Sequence, residues 1–289
     1  MSGRAISSSQ MIMKSSSSQF VTGAWAPSSF HLEKMLSLTK VNKAVLALLG
    51  QGFSEYYFVM RDFNNASEVK ATEQLLESAD KTGLKIIIIL FPPSESGNYG
   101  AYSNANYDWK GWIVYFNSLK KIHPSSFLGF VMDDFNAVDG VRRLYVMNNM
   151  YFMASSNLSA ALYDKRKDVQ FYPVMYLETG GFETLKSNYD KFVSGIILAN
   201  ASPISSSSSY YNLTQLDHYI KALSKMFENK PLKYILYPAK TQNDTLSNRL
   251  VSDTLSTASR LFNEIIIYVM TDNPVIQNFL RNQPHHSLN

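Results

Sequence analysis

The chain has no cysteine among its 289 residues, so disulfides, thiolate metal sites and cysteine nucleophiles are excluded. Histidine is also scarce, with five in the chain, and none follows a predicted strand, which argues against a zinc site. The sole adjacent glycine pair is Gly180-Gly181, and no glycine-rich phosphate loop is present. We therefore expect no metal, no phosphate ligand and no cofactor.

Long hydrophobic runs are absent too. No segment approaches the ~20 apolar residues that cross a bilayer, which predicts a soluble protein that does not insert into membranes. Residues 1–19 are serine-rich without an apolar core, so they are predicted to be a disordered tail and not a signal peptide. The 27 Lys and Arg against 23 Asp and Glu leave a charge of +4 that is spread thinly, so no nucleic-acid partner is predicted.

Eight short apolar runs are present instead. Most are continuous rather than alternating, which is typical of parallel strands buried on both faces. The predicted strands are Phe20 to Trp25, Tyr56 to Arg61, Lys85 to Phe91, Phe127 to Asp133, Val169 to Tyr176, Val193 to Asn200, Leu232 to Tyr237 and Glu264 to Met270.

Stretches with helical period separate these strands. Apolar residues recur at steps of three and four from Trp109 to Leu119 and from Leu216 to Phe227. Ser67 and Asn212 are candidate helix N-caps, and Gly83 and Pro231 are candidate stop signals. Eight strand and helix units predict a single α/β domain, a (β/α)8 TIM barrel over residues 20–282, with a polar tail over 283–289. An open doubly wound sheet is the alternative.

Carboxylates follow five of the eight predicted strands. Three of the strands close on a repeated Val-Met-x-Asp, which ends in Asp62, Asp134 and Asp272; Glu95, Asp133 and Glu178 are the other acids. In a barrel the loops after the strands form one rim, which carries the active site. Carboxylates held close together shift one another's pKa, so this rim favours acid and base chemistry. Some of these acids, Asp62 and Asp272 above all, are equally well explained as helix caps or rim residues.

Alternation separates the two acids of strand four. Gly129, Val131 and Asp133 are predicted to share one face, and Phe130, Met132 and Asp134 the other. The run from Gly129 to Asp133 resembles the fourth-strand motif of alpha-amylases, whose final Asp is the nucleophile, and the acidic motif of chitinase-type barrels. The resemblance implies an inward-facing Asp133. It covers some seven residues, and Val131 and Phe135 stand where those families have Arg and Glu, so no specific family is matched.

The rim is also rich in aromatic, amide and basic side chains, the combination that binds the apolar faces and hydroxyl edges of sugars. We expect Asp133, Glu178 and Asp134 to be the catalytic set. The predicted substrate-binding residues are Trp25, Arg61, Asp62, Glu95, Tyr102, Tyr176, Asn200, Lys240 and Asp272.

The sequence thus predicts a glycoside hydrolase with a carbohydrate substrate, with Asp133 as nucleophile or base and Glu178 as acid. Arg61 is a candidate partner for one of the acids. Two alternatives remain open. The first is a non-catalytic barrel that binds glycans or a protein and has lost its acid pair, and the second is a Schiff-base lyase or aldolase that uses Lys240.

Overall fold

A computed structural model describes most of the chain. The described residues are 21–25, 38–90, 108–133, 135, 156–177, 180–199, 213–236, 239–241, 244–245, 248–268 and 274–282. The two predicted tails, residues 1–19 and 283–289, lie outside these ranges.

Strands and helices alternate along the chain. The barrel strands are β1 (Val21–Trp25), β2 (Glu55–Val59), β3 (Lys85–Leu90), β4 (Phe127–Met132), β5 (Gln170–Tyr176), β6 (Ile196–Ala199), β7 (Leu232–Leu236) and β10 (Glu264–Tyr268). A small antiparallel hairpin, β8 (Ala239–Thr241) and β9 (Asp244–Thr245), follows β7. The helices are α1 (Leu38–Gly50), α2 (Ala66–Thr82), α3 (Trp109–Ile122), α4 (Ser156–Leu162), α5 (Phe182–Tyr189), α6 (Leu213–Met226), α7 (Asn248–Leu261) and α8 (Pro274–Arg281).

The sheet closes on itself. All neighbouring barrel strands are parallel, and β1 pairs with both β2 and β10. The eight predicted strands are present, and the predicted TIM barrel is confirmed; the open doubly wound sheet is wrong because it would leave two unpaired edges. The hairpin of β8 and β9 was not predicted. Among the described helices, none is long and apolar enough to span a membrane.

Each strand is buried on both faces. One set of alternating side chains fills the barrel, and this inner core includes Tyr57, Val131 and Ile197. The other set packs outward against the helices in a larger core with members such as Phe58, Phe130 and Leu198. Since neither face meets water, both must be apolar over most of their length, which explains the continuous hydrophobic runs of the sequence.

Aromatic side chains on α3 join that helix to the sheet. Trp109 and Trp112 are buried, as the helical stripe predicted. The Phe116 ring stacks between Trp112 and Phe130, with centroid distances of 5.3 and 4.6 Å, and Phe130 stacks on Phe171 of β5 at 5.0 Å. These rings make a continuous apolar band from α3 across β4 to β5, and they assign both tryptophans to the core.

Strand β4 contains an irregularity at Leu128. Ile86 pairs with Phe127 but Ile87 pairs with Gly129, so one extra residue lies in β4. Leu128 packs against the inner core. A Cβ atom on Gly129 would lie 1.9 Å from the backbone oxygen of Gln170, so the backbone of β5 leaves no room for a side chain at this position. Gly129 pairs with Ile87 and Val131 pairs with Ile89, and both isoleucines belong to the inner core, so Gly129 and Val131 share the inner face as predicted. The bulge places Leu128 on that face as well.

We expect Gly129→Ala to destabilise the barrel by about 2–3 kcal/mol, because the added methyl group must displace backbone atoms of β5 and not a flexible side chain. Gly50→Ala is the matched control, since a Cβ at the end of α1 meets no atom within 4 Å. Urea unfolding of both variants gives the comparison. Equal stability of Gly129→Ala and the unchanged protein would contradict this account of the bulge.

Candidate active site

Asp133 follows β4 directly at the carboxyl end of the barrel. Its backbone N–H donates to the carbonyl oxygen of Leu90 at 2.9 Å, so the parallel ladder with β3 continues through it. Val131 belongs to the inner core and Met132 to the outer core. Alternation beyond the bulge therefore gives Asp133 the inward direction, and its side chain is half-buried.

The interior below Asp133 is apolar. Val131, Ile89 and Val174 belong to the buried inner core. Tyr176, the last residue of β5, is half-buried and packs against the same core. A half-buried acid above an apolar floor meets less water than an exposed one, and an aromatic ring at the end of the neighbouring strand can support a flat ligand.

The loop after β2 is held by a buried glutamate. Arg61 and Asp62 are half-buried, and their backbone N–H groups donate to Oε2 of Glu68 at 2.7 and 3.1 Å. Glu68 lies in the first turn of α2, where a carboxylate also interacts favourably with the helix dipole. The Glu68 carboxylate thus fixes the direction in which the chain leaves β2.

The N-cap of α2 differs from the sequence prediction. Asn65, not Ser67, is the N-cap of α2: its side-chain oxygen accepts from the backbone N–H groups of Ser67 and Glu68. Asp62 is not that cap either, because its Oδ1 accepts from the backbone N–H of Asn64 at 2.8 Å in a local turn. Gly83 ends α2 in the left-handed conformation, as predicted. Asp62 is therefore a rim residue with one oxygen engaged in the loop.

The remaining candidates are only partly described or lie outside the described residues. Trp25 ends β1, with its backbone in register with Tyr57 and Tyr268, and Lys240 lies in the short strand β8. Outside the described residues lie Asp134, Glu178, Glu95, Tyr102, Asn200, Asp272 and the predicted cap Asn212. Among the described residues, Asp133, Arg61, Asp62 and Tyr176 thus lie at the carboxyl ends of β4, β2 and β5.

A second polar group fills the opposite, amino end of the barrel. We call Glu55, Tyr57, Lys233 and Glu264 the inner ion cluster; all four are buried. The Lys233 ammonium lies 3.0 Å from Oε2 of Glu55 and forms an ion pair with Oε2 of Glu264. A Cβ on Gly23 would lie 2.7 Å from Oε1 of Glu264, so this glycine leaves room for the cluster.

Burial and mutual charge shift the pKa values of this cluster. Burial raises the pKa of Glu264 well above its ordinary value, and the charge of Glu55 adds to the effect. Burial would also raise the pKa of Glu55, but the Lys233 ammonium and hydrogen bonds leave it lowered. Desolvation opposes the charge on Lys233, yet both carboxyls hold its pKa above the usual range. These shifts therefore arise from burial and from the charges and hydrogen bonds within the cluster and its immediate surroundings.

Sequence reasoning missed the inner ion cluster and Glu68. The signal for the cluster was a charged residue at the first or second position of an apolar strand, as at Lys233 and Glu264. Glu55 fell outside the predicted bounds of its strand because that strand was started at Tyr56. No local pattern distinguishes Glu68 from an exposed first-turn glutamate.

Comparison with known proteins gives a fold and no family. No sequence-family description matches the chain, and no curated protein matches it in sequence. Solved structures do match. A chitinase-like lectin of tamarind superposes with a TM-score of 0.50 at 10% identity, over 91% of this chain and 97% of the lectin.

Two further matches are enzymes. A GH5_18 protein from Streptomyces cattleya, solved with GlcNAc, gives a TM-score of 0.58 at 10% identity, over 90% of this chain and 74% of its own. A chitinase domain from Pyrococcus furiosus, solved with chito-oligosaccharides, gives 0.53 at 9% identity, over 86% and 83%. The chain has the barrel fold that glycoside hydrolases and chitinase-like proteins share, and at this identity the likeness concerns the fold alone.

We expect Glu68→Ala to cost about 1–3 kcal/mol, because the backbone N–H groups of Arg61 and Asp62 lose their buried acceptor. Glu68→Gln keeps one acceptor oxygen and should recover part of the loss. The control is Glu77→Ala on the exposed face of the same helix, with an expected change within about 0.5 kcal/mol. If all three variants have the same midpoint in urea, Glu68 does not hold the loop.

Proposed function

We propose that the protein is a carbohydrate-active hydrolase that acts on an O-glycosidic bond at the carboxyl end of the barrel. The observation that carries this proposal is the position of Asp133, a half-buried acid on the inner face at the end of β4, above an apolar floor. The fold supports it, because the GH5_18 protein and the chitinase domain with the same barrel were solved with sugars.

Asp133 is proposed as nucleophile or base. A carboxylate that loses contact with water when a sugar covers it becomes a stronger base, and the apolar floor beneath Asp133 provides that environment. Glu178, two residues beyond Tyr176, is the proposed acid. The separation of their carboxyl groups decides the outcome: about 5 Å gives retention, and roughly 6.5–9.5 Å gives inversion, because a water must fit between acid and base.

The other rim residues are proposed to bind the sugar. Tyr176 offers a flat ring at the end of the strand that neighbours β4, and Arg61 offers donors to hydroxyl or carboxylate oxygens. Asp62 has its Oδ2 atom for a hydroxyl, since Oδ1 accepts from the loop. Trp25, Lys240, Asp134, Glu95, Tyr102, Asn200 and Asp272 complete the proposed set.

A second candidate function is glycan binding without hydrolysis. It is favoured by the tamarind match, which covers nearly all of both chains and is a chitinase-like lectin. The same rim serves either function, because stacking and hydroxyl contacts are needed for binding alone. Only the acid pair is specific to hydrolysis.

Asp133→Asn distinguishes the two functions, because the amide keeps the shape of the carboxylate and removes its basicity. We expect at least a 100-fold fall in the rate at which a panel of chito- and manno-oligosaccharides is cleaved, with binding by calorimetry largely retained. Asp217→Asn is the control, since Asp217 lies on the outer helix α6, paired with Lys221.

Hydrolysis at the original rate by Asp133→Asn would remove Asp133 from the mechanism. Binding of the same sugars by the unchanged protein with no cleavage of any would support the lectin-like function instead. If the panel is neither bound nor cleaved, both functions fail for these sugars, and borohydride trapping with a carbonyl substrate tests Lys240.

A further inference from the structure

In the inner ion cluster, the Tyr57 hydroxyl contacts more carboxyl oxygens than its one hydrogen can satisfy. The Tyr57 hydroxyl lies 2.9 Å from Oε2 of Glu55 and 3.0 Å from Oε1 of Glu264. The Lys233 ammonium also donates to it, at 3.0 Å. A phenol has one hydrogen to donate, so it can satisfy one of the two carboxyl oxygens. The other oxygen contact lacks a hydrogen unless that carboxyl carries one itself.

The net charge of the cluster also indicates that one carboxyl is protonated. Two carboxyls face one ammonium in a region where the exposed fractions of the side chains are 9% for Glu55, 3% for Glu264 and 5% for Lys233. With both carboxylates ionised the cluster would hold a buried charge of −1, which is costly away from water. With one carboxyl protonated the cluster is neutral, and the acid hydrogen completes the second bond to Tyr57.

No other described side chain supplies the missing positive charge. From β5, the Tyr172 ring lies under the Lys233 ammonium at 4.4 Å and its hydroxyl donates to Gln170. From β3, Lys85 is in register with Glu55, but its ammonium donates to the Ser125 carbonyl oxygen at the surface. The described inner-face residues contributed by β1, β4 and β6 do not ionise; they include Gly23, Leu128, Gly129, Val131, Ile197 and Ala199.

We propose that the barrel keeps one proton between Glu55 and Glu264 at neutral pH, and that the free energy of unfolding therefore falls as the pH rises. Both carboxyls contact the Lys233 ammonium. Glu264 is assigned the proton because burial and the charge of Glu55 raise its pKa, whereas Lys233 and hydrogen bonds leave the pKa of Glu55 lowered. The cluster joins β2, β7 and β10, so loss of the proton places a repulsion where the barrel closes. This inference is independent of the carbohydrate function.

The direction of the pH effect follows from linkage. An ordinary glutamate loses its proton near pH 4.5, so above that pH the unfolded chain has released a proton that the folded chain keeps. The unfolding equilibrium constant then rises by up to about tenfold per pH unit until the folded state also loses the proton. The lowered pKa of Glu55 acts below pH 4.5, and the raised pKa of Lys233 acts at the alkaline end, so neither cancels this effect near neutrality.

The test compares urea unfolding of the full chain from pH 5.5 to 9 with that of Glu264→Gln. The amide replaces a neutral acid with a neutral group of the same shape, and it leaves one carboxylate for one ammonium. In the unchanged protein the unfolding equilibrium constant should rise with pH, and in the variant this rise should be smaller by the contribution of up to one proton. The ratio of the two constants should therefore change by up to about tenfold per pH unit in favour of the variant. Glu55→Gln should give the same change in slope, since Glu264 then ionises against Lys233.

Glu183→Gln, on the exposed face of α5, is the control and should leave the slope unchanged. The second measurement needs no variant. Carbon NMR of the chain with labelled glutamate should show one carboxyl carbon whose chemical shift is that of a protonated carboxyl group at pH 7. Identical slopes in the unchanged protein and Glu264→Gln overturn the proposal. So does titration of every glutamate carboxyl near its ordinary pH, which decides the matter even if the variants do not fold.

Discussion

Closure of eight parallel strands is the constraint on which the rest of the structure depends. A closed barrel has no edge, so every strand must find a partner on both sides, and β1 does so with β2 and β10. Closure also creates an interior of fixed width that side chains must fill. Polar groups inside it must find their hydrogen-bond partners among one another, because water is excluded.

The interior solves this problem in layers. At the amino end Glu55, Lys233 and Glu264 satisfy one another around Tyr57, and Gly23 provides the space. In the middle, aliphatic side chains such as Ile89 exclude water. Polar side chains return at the carboxyl end with Asp133. Charges at the two ends can still interact through the apolar middle, because a low-dielectric interior screens charge less than water does.

The fold was predictable from the sequence because burial on both faces leaves a simple signal. Continuous apolar runs located every barrel strand to within a few residues, and helical stripes identified Trp112 and Ile220 as core. Exceptions arose where a tertiary contact decides the local structure. The bulge at Leu128 lies where β4 pairs with β3, and the cap of α2 is Asn65 and not Ser67, after a loop whose backbone N–H groups donate to Glu68.

The site was predictable in position but not in composition. Topology fixes the end of the barrel at which Asp133 and Tyr176 lie, whereas the pairing of charges depends on distances that a linear pattern does not contain. Glu264 illustrates the difference: in sequence it is one glutamate before an isoleucine run, and in the fold it shares an ammonium with a residue more than 200 positions away. A charged residue at the buried amino end of such a run therefore carries more information than a charged residue that follows its carboxyl end. Desolvation obliges the buried charge to find a partner, and a residue at the rim is under no such obligation.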